Sequence, residues 1–131
     1  MLNKFYAVTM TSVYEVVANG GNGSPSAKKI KLFGQSVAKQ GQVIGGGSML
    51  SIGYTLTFYT PTGNERGIDY SRSIGWNTSR IVALFKKEND ALMCSEQKNL
   101  EIYDARWTDE TEKILAEIGP SHPVFTITDR N

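Results

Sequence analysis

Apolar and polar residues alternate along much of the first half of the chain. Over residues 4–18 and again over residues 50–60, apolar side chains occupy nearly every second position. A period of two is typical of a β-strand with one buried face. The pattern therefore predicts two long strands. Residues 19–25 favour turns and supply no large apolar side chain, which predicts a loop after the first of them.

Shorter strands are predicted around these two. Residues 27–34 alternate in the same way, which predicts a strand with Lys29 and Lys31 facing solvent. Val43–Ile44 predicts a very short strand before a run of glycines, and residues 68–74 predict another strand of mixed character. The first two thirds of the chain are therefore expected to be rich in β-structure.

The character of the sequence changes near its last third. Ile81–Phe85 is continuously apolar, as expected of a strand that is covered on both faces. Residues 87–97 and 105–118 carry apolar side chains at helical spacing, and residues 124–128 predict a last strand. This part of the chain is therefore expected to supply both helices.

The order of these elements indicates the fold class. Strands that precede helices favour an α+β fold: an N-terminal antiparallel sheet followed by two C-terminal helices and a last short strand. The helices are expected on one face of the sheet or gathered at one end. Asp104 or Thr108 caps the start of the second helix, and Gly119-Pro120 ends it.

Composition and charge indicate one ordinary globular domain. The chain has 131 residues, with 14 Lys+Arg against 13 Asp+Glu and a formal net charge of +1. This length fits a single domain over residues 1–131. The small net charge gives no broad attraction to nucleic acid or to an anionic membrane, so neither is predicted as a partner. Without a long apolar run or a good signal peptide, the expected compartment is the cytoplasm, or the host cytoplasm for a viral protein.

The sequence offers little for catalysis. Cys94 as a nucleophile with His122 as its base is one candidate, but Cys94 falls on the inner stripe of the first predicted helix, so a packed structural thiol is the preferred interpretation. The loop at residues 45–48 is rich in glycine but lacks the lysine of a P-loop and leads into a strand. No metal motif is present, and no cofactor or enzymatic activity is predicted.

Arginine and aromatic residues surround the start of Ile81–Phe85, and the predicted loop at residues 75–79 leads directly into that strand. Arginines pair with phosphates, aromatic rings stack on bases, and small polar side chains orient a ribose, so a nucleotide-like ligand suits this set. Alternatively, Trp107 is a core residue, Arg106 a solvated helix residue and Trp76 a surface anchor. The set consists of Tyr70, Arg72, Trp76, Asn77, Thr78, Ser79, Arg80, Arg106 and Trp107.

Three segments also carry a resemblance to a known family. They are Thr11-Ser12-Val13-Tyr14-Glu15-Val16, then Ile81–Phe85 with the following Ala91-Leu92-Met93-Cys94, and finally Asp104-Ala105-Arg106-Trp107 with Thr111 on the last helix. These segments and the order of elements resemble the Thoeris anti-defence sponges of phages. Those small proteins sequester a cyclic ADP-ribose isomer signal.

The resemblance implies a function and a site. The function is to bind a cyclic nucleotide-derived immune signal without hydrolysing it, which counteracts bacterial anti-phage defence. The implied assembly is a dimer or larger homo-oligomer. Carried onto this sequence, the arginine of the last helix is Arg106, and the ring that stacks on the base is Trp76 or Phe85. The residues of the loop before the buried strand are Asn77, Thr78 and Arg80.

An alternative function belongs to a different class. A small adaptor or inhibitor would bind another protein through a sheet edge or through the aromatic side chains of Tyr54, Phe58 and Tyr59. This alternative predicts a defined protein complex and no small-molecule pocket. The sponge predicts a bound and unaltered small molecule, so the two hypotheses differ in what co-purifies with the folded chain.

Overall fold

The computed structural model describes residues 2–18, 26–34, 43–44, 49–52, 55–62, 69–98, 100, 108–118 and 125–127. These residues form nine strands and two helices. In chain order they are β1 (Lys4–Thr9), β2 (Ser12–Val17), β3 (Ser26–Leu32), β4 (Val43–Ile44), β5 (Met49–Ile52), β6 (Leu56–Thr62), β7 (Asp69–Asn77), β8 (Ile81–Phe85), α1 (Glu88–Ser95), α2 (Asp109–Glu117) and β9 (Phe125–Ile127). Neither helix of this described part has the length and apolar character needed to cross a bilayer.

The strands form two sheets. The first sheet has five strands in the order β4-β3-β2-β1-β8, and all its pairs are antiparallel. The second sheet has four strands in the order β7-β6-β5-β9, with β9 parallel to β5 and the other pairs antiparallel. The predicted α+β class is confirmed, as is the order of strands, helices and last strand. The strands are divided between two sheets, however, and β8 completes the first sheet beside β1.

Both long predicted strands are hairpins. The alternating run over residues 4–18 folds back between β1 and β2, so that Val8 faces Val13 across the pair. The run over residues 50–60 is likewise divided between β5 and β6, which pair with each other. The alternation of apolar and polar residues shows which face of a strand a residue occupies. It does not show where the chain reverses. Each hairpin therefore resembles one long strand in the sequence.

The two helices cover opposite faces of the first sheet. Helix α1 packs through Ala91 against the face that contains Val8. Helix α2 packs through Ile114 against the other face, which contains Phe5. The expectation of helices on one face or at one end is therefore wrong, because β1 is apolar on both sides and each side needs a cover.

Strand β8 is buried on both faces, as its continuous apolar run predicts. Its outer edge is covered by the start of α2: the Leu84 N–H donates to Thr111 Oγ1 at 2.9 Å, and the Lys86 N–H donates to the Glu110 carboxylate at 3.2 Å. Thr108 is the N-cap of α2, because its side chain accepts from the Thr111 N–H at 3.2 Å. The helix is thereby anchored to the edge of the strand.

A β-bulge lies in β8 next to the β1–β2 hairpin. Val8 faces Ala83 and Thr9 faces Ile81, so Val82 is an extra residue in β8. A bulge re-aims the side chains that follow it, and bulges are frequent beside functional sites.

A second bulge lies on the other side of the hairpin, in β3. Val13 faces Lys31 and Tyr14 faces Lys29, so Ile30 is the extra residue. The bulge places Lys29 and Lys31 on opposite faces of the sheet although they are two positions apart. The prediction that both lysines face solvent is therefore wrong, because Lys29 is 0% exposed.

Candidate functional site

The connection between β7 and β8 is shorter than the loop predicted at residues 75–79. Strand β7 continues through Trp76 to Asn77, and both residues pair with β6. Because β7 belongs to the second sheet and β8 to the first, the residues that follow link the two sheets. The residues of this connection are Thr78, Ser79 and Arg80.

Thr78 fixes the connection to the second sheet. Its N–H donates to the Leu56 carbonyl at 3.0 Å, and the Leu56 N–H donates to Thr78 Oγ1 at 3.1 Å. The Thr78 hydroxyl in turn donates to the Ser79 carbonyl at 2.8 Å. Leu56 is itself buried in the core that includes one face of the first sheet. The Thr78 hydroxyl is engaged with backbone groups on both sides, which gives it a positioning role.

The turn between β1 and β2 is held by the side chain of Thr9. Its Oγ1 accepts from the N–H groups of Thr11 at 3.2 Å and Ser12 at 3.0 Å, and it donates to the Ser12 carbonyl at 3.1 Å. A threonine that bonds the backbone two or three residues further on stabilises a turn without glycine or proline. Thr9 and Ser12 are buried, so these bonds are shielded from water.

The turn and the connection touch each other. Thr11 Oγ1 lies 2.8 Å from Ser79 Oγ and 3.3 Å from Ser12 Oγ, and the Met10 N–H donates to the Arg80 carbonyl at 3.0 Å. Thr11 and Ser79 are half-buried, whereas Arg80 is exposed. Two half-buried hydroxyls therefore meet at this point, and Arg80, the next residue along the connection, is exposed. We call this group of residues the tip cluster: Thr9, Thr11, Ser12, Thr78, Ser79 and Arg80.

Gly34 lets the end of the β3 segment close against the tip cluster. The N–H groups of Phe33 and Gly34 both donate to the Thr11 carbonyl, at 2.9 and 3.0 Å. A Cβ atom at Gly34 would lie 3.0 Å from Thr11 Cγ2, so a larger residue would displace the threonine. The turn is thus held from the β8 side through Met10 and from the β3 side through Thr11, which makes it rigid.

Lys29 brings a buried positive charge to the same region. Its Nζ lies 5.4 Å from the centre of the Tyr14 ring, a cation–π distance. Burial lowers the pKa of Lys29. Burial also raises the pKa of the Tyr14 phenol, and a side-chain hydrogen bond with Ser12 partly offsets this rise. Tyr14 therefore stands between Lys29 and Ser12 of the tip cluster.

The predicted ligand-binding residues do not all lie at this point. Thr78 and Arg80 belong to the tip cluster. Phe85 is half-buried and faces Tyr6 at the other end of β8. At ~3.3 Å per residue, Phe85 lies about 13 Å along the strand from Ile81, the first residue of β8. If a ring stacks on a base bound at the tip cluster, Trp76 is better placed along the chain than Phe85.

Other predicted features fall on parts of the chain that the structure does not describe. The backbones of Trp76 and Asn77 lie in β7, next to the connection, but their side chains are outside the described set. Arg106 and Trp107 lie outside the described residues. The remaining features outside that set are Asp104, His122, residues 45–48, Gly119-Pro120 and the side chains of Tyr54, Phe58, Tyr59, Tyr70 and Arg72.

The sequence contains one signal for the tip cluster that the predicted site omitted. Thr9, Thr11 and Ser12 place three hydroxyl residues within four positions of an otherwise apolar alternation. Such residues bond to nearby backbone and favour turns over strand interiors. The signal marks both the reversal of the chain and the polar surface. Gly34 carries no comparable signal, because its role depends on a contact with Thr11 in the folded chain.

Cys94 is a buried residue of α1, and burial raises the pKa of its thiol from the usual 9.0 to about 11. The thiol is therefore protonated at neutral pH, which agrees with the structural role preferred from the sequence. Within the described ranges, no three His, Cys, Asp or Glu side chains are grouped as a metal site requires.

Comparison of the chain with protein-family models, with curated proteins and with solved structures found no match. The interpretation of the tip cluster therefore depends on its own geometry and chemistry, together with the resemblance of the sequence segments described above.

Proposed function

We propose that this chain binds a small, phosphate-bearing, nucleotide-derived ligand at the tip cluster and leaves it chemically intact. The observation that carries the proposal is the 2.8 Å contact between the hydroxyls of Thr11 and Ser79, in a connection whose next residue, Arg80, is exposed. A guanidinium forms charge-assisted hydrogen bonds with phosphate oxygens, and hydroxyls bond to both phosphate and ribose. The backbone around these groups is fixed on both sides, so little ordering is needed on binding.

The hydroxyls of the tip cluster can also donate a hydrogen bond to a ligand. Ser12, Thr11 and Ser79 form a row of three hydroxyls joined by two hydrogen bonds. We call it the hydroxyl row. Each hydroxyl carries one proton, so the two bonds use two of the three protons. One proton therefore remains for a ligand, and Thr11 and Ser79 are the half-buried members of the row.

Binding without conversion is supported by the state of the one cysteine. A nucleophile or general base needs a pKa near the working pH, whereas the Cys94 thiol has a pKa of about 11 and lies in the core. Arginine and hydroxyl side chains hold a phosphate without supplying such a base. In keeping with the sponges that the sequence resembles, we propose that the bound ligand is a cyclic ADP-ribose isomer and that binding removes a defence signal.

The proposal is tested by titration calorimetry with a cyclic ADP-ribose isomer and with linear ADP-ribose, followed by chromatography of the recovered ligand. The wild-type chain is expected to bind and to return the ligand unchanged. Arg80→Ala is expected to weaken binding about 10- to 100-fold, the loss of one hydrogen bond to a charged group. Lys28→Ala is the matched control, because Lys28 is an exposed cation of β3 that does not belong to the tip cluster.

Four outcomes contradict the proposal. No binding of either nucleotide removes the ligand class. Equal affinity of the wild type and Arg80→Ala removes the tip cluster as the site. Breakdown of the ligand during the titration shows an enzyme, and a stable complex with a host protein in place of nucleotide binding favours the adaptor.

A further inference from the structure

Two apolar side chains beside the tip cluster remain partly accessible to solvent. Met10 and Phe33 pack against the core cluster on the face of the first sheet that α1 covers, and both are half-buried. Helix α1 packs on β1, β2 and β8, whereas Phe33 follows the end of β3. Ligand sites are lined mainly by apolar and aromatic side chains, together with a few polar groups that orient the ligand. Met10 and Phe33 supply the apolar part of such a lining.

Hydrogen bonds join the backbones of both residues directly to the tip cluster. The Met10 N–H donates to the Arg80 carbonyl at 3.0 Å, and the Phe33 N–H donates to the Thr11 carbonyl at 2.9 Å. Met10 also precedes Thr11 in the β1–β2 turn. Because consecutive Cα atoms are about 3.8 Å apart, the turn presents an apolar side chain and a hydroxyl next to each other.

The Phe33 ring has a cation beside it that is anchored to α1. Lys31 Nζ lies 6.0 Å from the centre of the Phe33 ring, a cation–π distance. The same ammonium donates to Ser95 Oγ at 2.8 Å and lies 3.8 Å from the Glu96 carboxylate. These contacts hold the lysine against the helix and restrict the ring next to it. A ring that is already restricted needs little further ordering when a ligand stacks on it.

We infer that Phe33 is the ring on which the base of a bound nucleotide stacks, with Met10 in apolar contact beside it. The sugar and phosphate groups then reach the hydroxyl row around the turn. The inference rests on the proposed function and adds a base-binding subsite on the α1 side of the sheet. It assigns stacking to Phe33 in place of Trp76 or Phe85, because the backbone of Phe33 is bonded to the tip cluster. The site therefore selects nucleotides over sugar phosphates.

The test compares a ligand that has a base with one that has none. Wild type, Phe33→Leu and Phe85→Leu are titrated by calorimetry with ADP-ribose and with ribose 5-phosphate. Phe33→Leu keeps an apolar side chain but removes the ring, so it is expected to lower the affinity for ADP-ribose about tenfold and to leave that for ribose 5-phosphate unchanged. Phe85→Leu is the matched control and is expected to leave both affinities unchanged. Phe85 is likewise half-buried against the same core cluster but lies at the far end of β8.

The two proposals fail in different ways. If the wild type does not bind ADP-ribose, the proposed function fails. If the wild type binds ADP-ribose and Arg80→Ala weakens this binding, the proposed function stands and the variants test the subsite alone. The subsite is then refuted if Phe33→Leu keeps the wild-type affinity for ADP-ribose, if it weakens both ligands equally, or if Phe85→Leu has the same effect.

A measurement on the wild-type chain makes the test independent of how well Phe33→Leu folds. The Met10 methyl group is isotopically labelled and its NMR signal is assigned with Met10→Leu. The ring current of a base stacked on Phe33 is expected to shift this signal when ADP-ribose is added, whereas ribose 5-phosphate is expected to leave it almost unchanged. Equal shifts with the two ligands, or no shift with ADP-ribose, overturn the inference.

Discussion

The two ends of the first sheet carry different kinds of polar contact. At the end formed by the β1–β2 turn, hydroxyls bond to backbone and to one another, as in the pair Thr11 and Ser79. At the opposite end, charged side chains pair across the surface: Lys4 lies 3.8 Å from Glu15, whose carboxylate also accepts from the Tyr6 hydroxyl at 3.3 Å. The first end is built from hydroxyls that bond to backbone and to one another, and the second from a carboxylate shared between an exposed lysine and a buried tyrosine.

The difference indicates which end is suited to a ligand. At the opposite end the Lys4 ammonium has the Glu15 carboxylate beside it, so the two charges partly neutralise each other. At the turn end the described contacts join hydroxyls to backbone groups and to one another. The turn end therefore offers polar groups in fixed positions, which suits the oxygens of a phosphate or a ribose.

The largest effect on stability is expected from Thr9→Val. This change leaves the half-buried N–H of Thr11 and the buried N–H of Ser12 without their acceptor, and we expect a loss of about 2–3 kcal/mol in the free energy of unfolding. The measurement is urea denaturation followed by circular dichroism. Thr9→Ser keeps the hydroxyl and is expected to be much closer to wild type. If the valine variant is as stable as wild type, the turn is not held by this side chain.

A smaller effect, confined to alkaline pH, is expected from Tyr14→Phe. The folded-state pKa of Tyr14 lies above its usual value of 10.0 because the phenol is buried. Between pH 10.0 and the folded-state pKa, the folded chain keeps this proton whereas the unfolded chain loses it. The contribution of the buried phenol to the free energy of unfolding is therefore complete below pH 10.0 and is lost as the pH rises through the folded-state pKa. Unfolding curves recorded from pH 8 upwards should decline more steeply for wild type than for Tyr14→Phe. Parallel curves contradict the burial of the phenol.

The smallest effect is expected at the opposite end. Glu15→Gln removes the partner of Lys4 and retains an acceptor for the Tyr6 hydroxyl. Because Lys4 is exposed and the pair is long, at 3.8 Å, we expect the urea midpoint of the variant to stay within experimental error of the wild-type value. We expect the salt dependence of that midpoint to match that of the wild type as well. A large destabilisation would mean that the two ends do not differ in the way described.

The fold was predictable wherever the signal was local. The apolar run Ile81–Phe85 identifies a strand covered on both faces, and Thr108 carries the chemistry of an N-cap. The hairpins were not predictable from alternation. Leu50 faces Phe58, so the β5–β6 hairpin keeps even-numbered residues on one side and the period of two continues through the turn.

The β1–β2 hairpin was not predictable from alternation either, but for the opposite reason. Across its two-residue turn, even-numbered residues change from one face of the sheet to the other. Tyr6 and Tyr14 therefore belong to different core clusters, although alternation places them on one face. Both faces are mostly buried and apolar, so the alternation itself contains no polar side that would reveal the exchange, and only the hydroxyl residues Thr9, Thr11 and Ser12 mark the turn. Register in such a strand is fixed by packing against two helices, which a one-dimensional pattern does not contain.

The tip cluster was predictable in part. Thr78 and Arg80 precede a buried strand, which is a local property of the sequence, and both lie in the cluster. Lys29 was assigned to solvent because a regular strand places it with Lys31, and only the bulge at Ile30 reverses that assignment. A bulge depends on the pairing of two strands, so neither strand alone predicts it.

The attachment of α2 to β8 has a consequence for assembly. The N–H groups of Leu84 and Lys86, which point away from β1, already bond to side chains of Thr111 and Glu110. A strand from a second copy would have to replace these bonds, so the attachment of α2 disfavours continuation of the first sheet past β8. We therefore expect a homo-oligomer of the kind that the resemblance implies to use side-chain surfaces or another edge. At high concentration, the same attachment disfavours fibril growth from this edge.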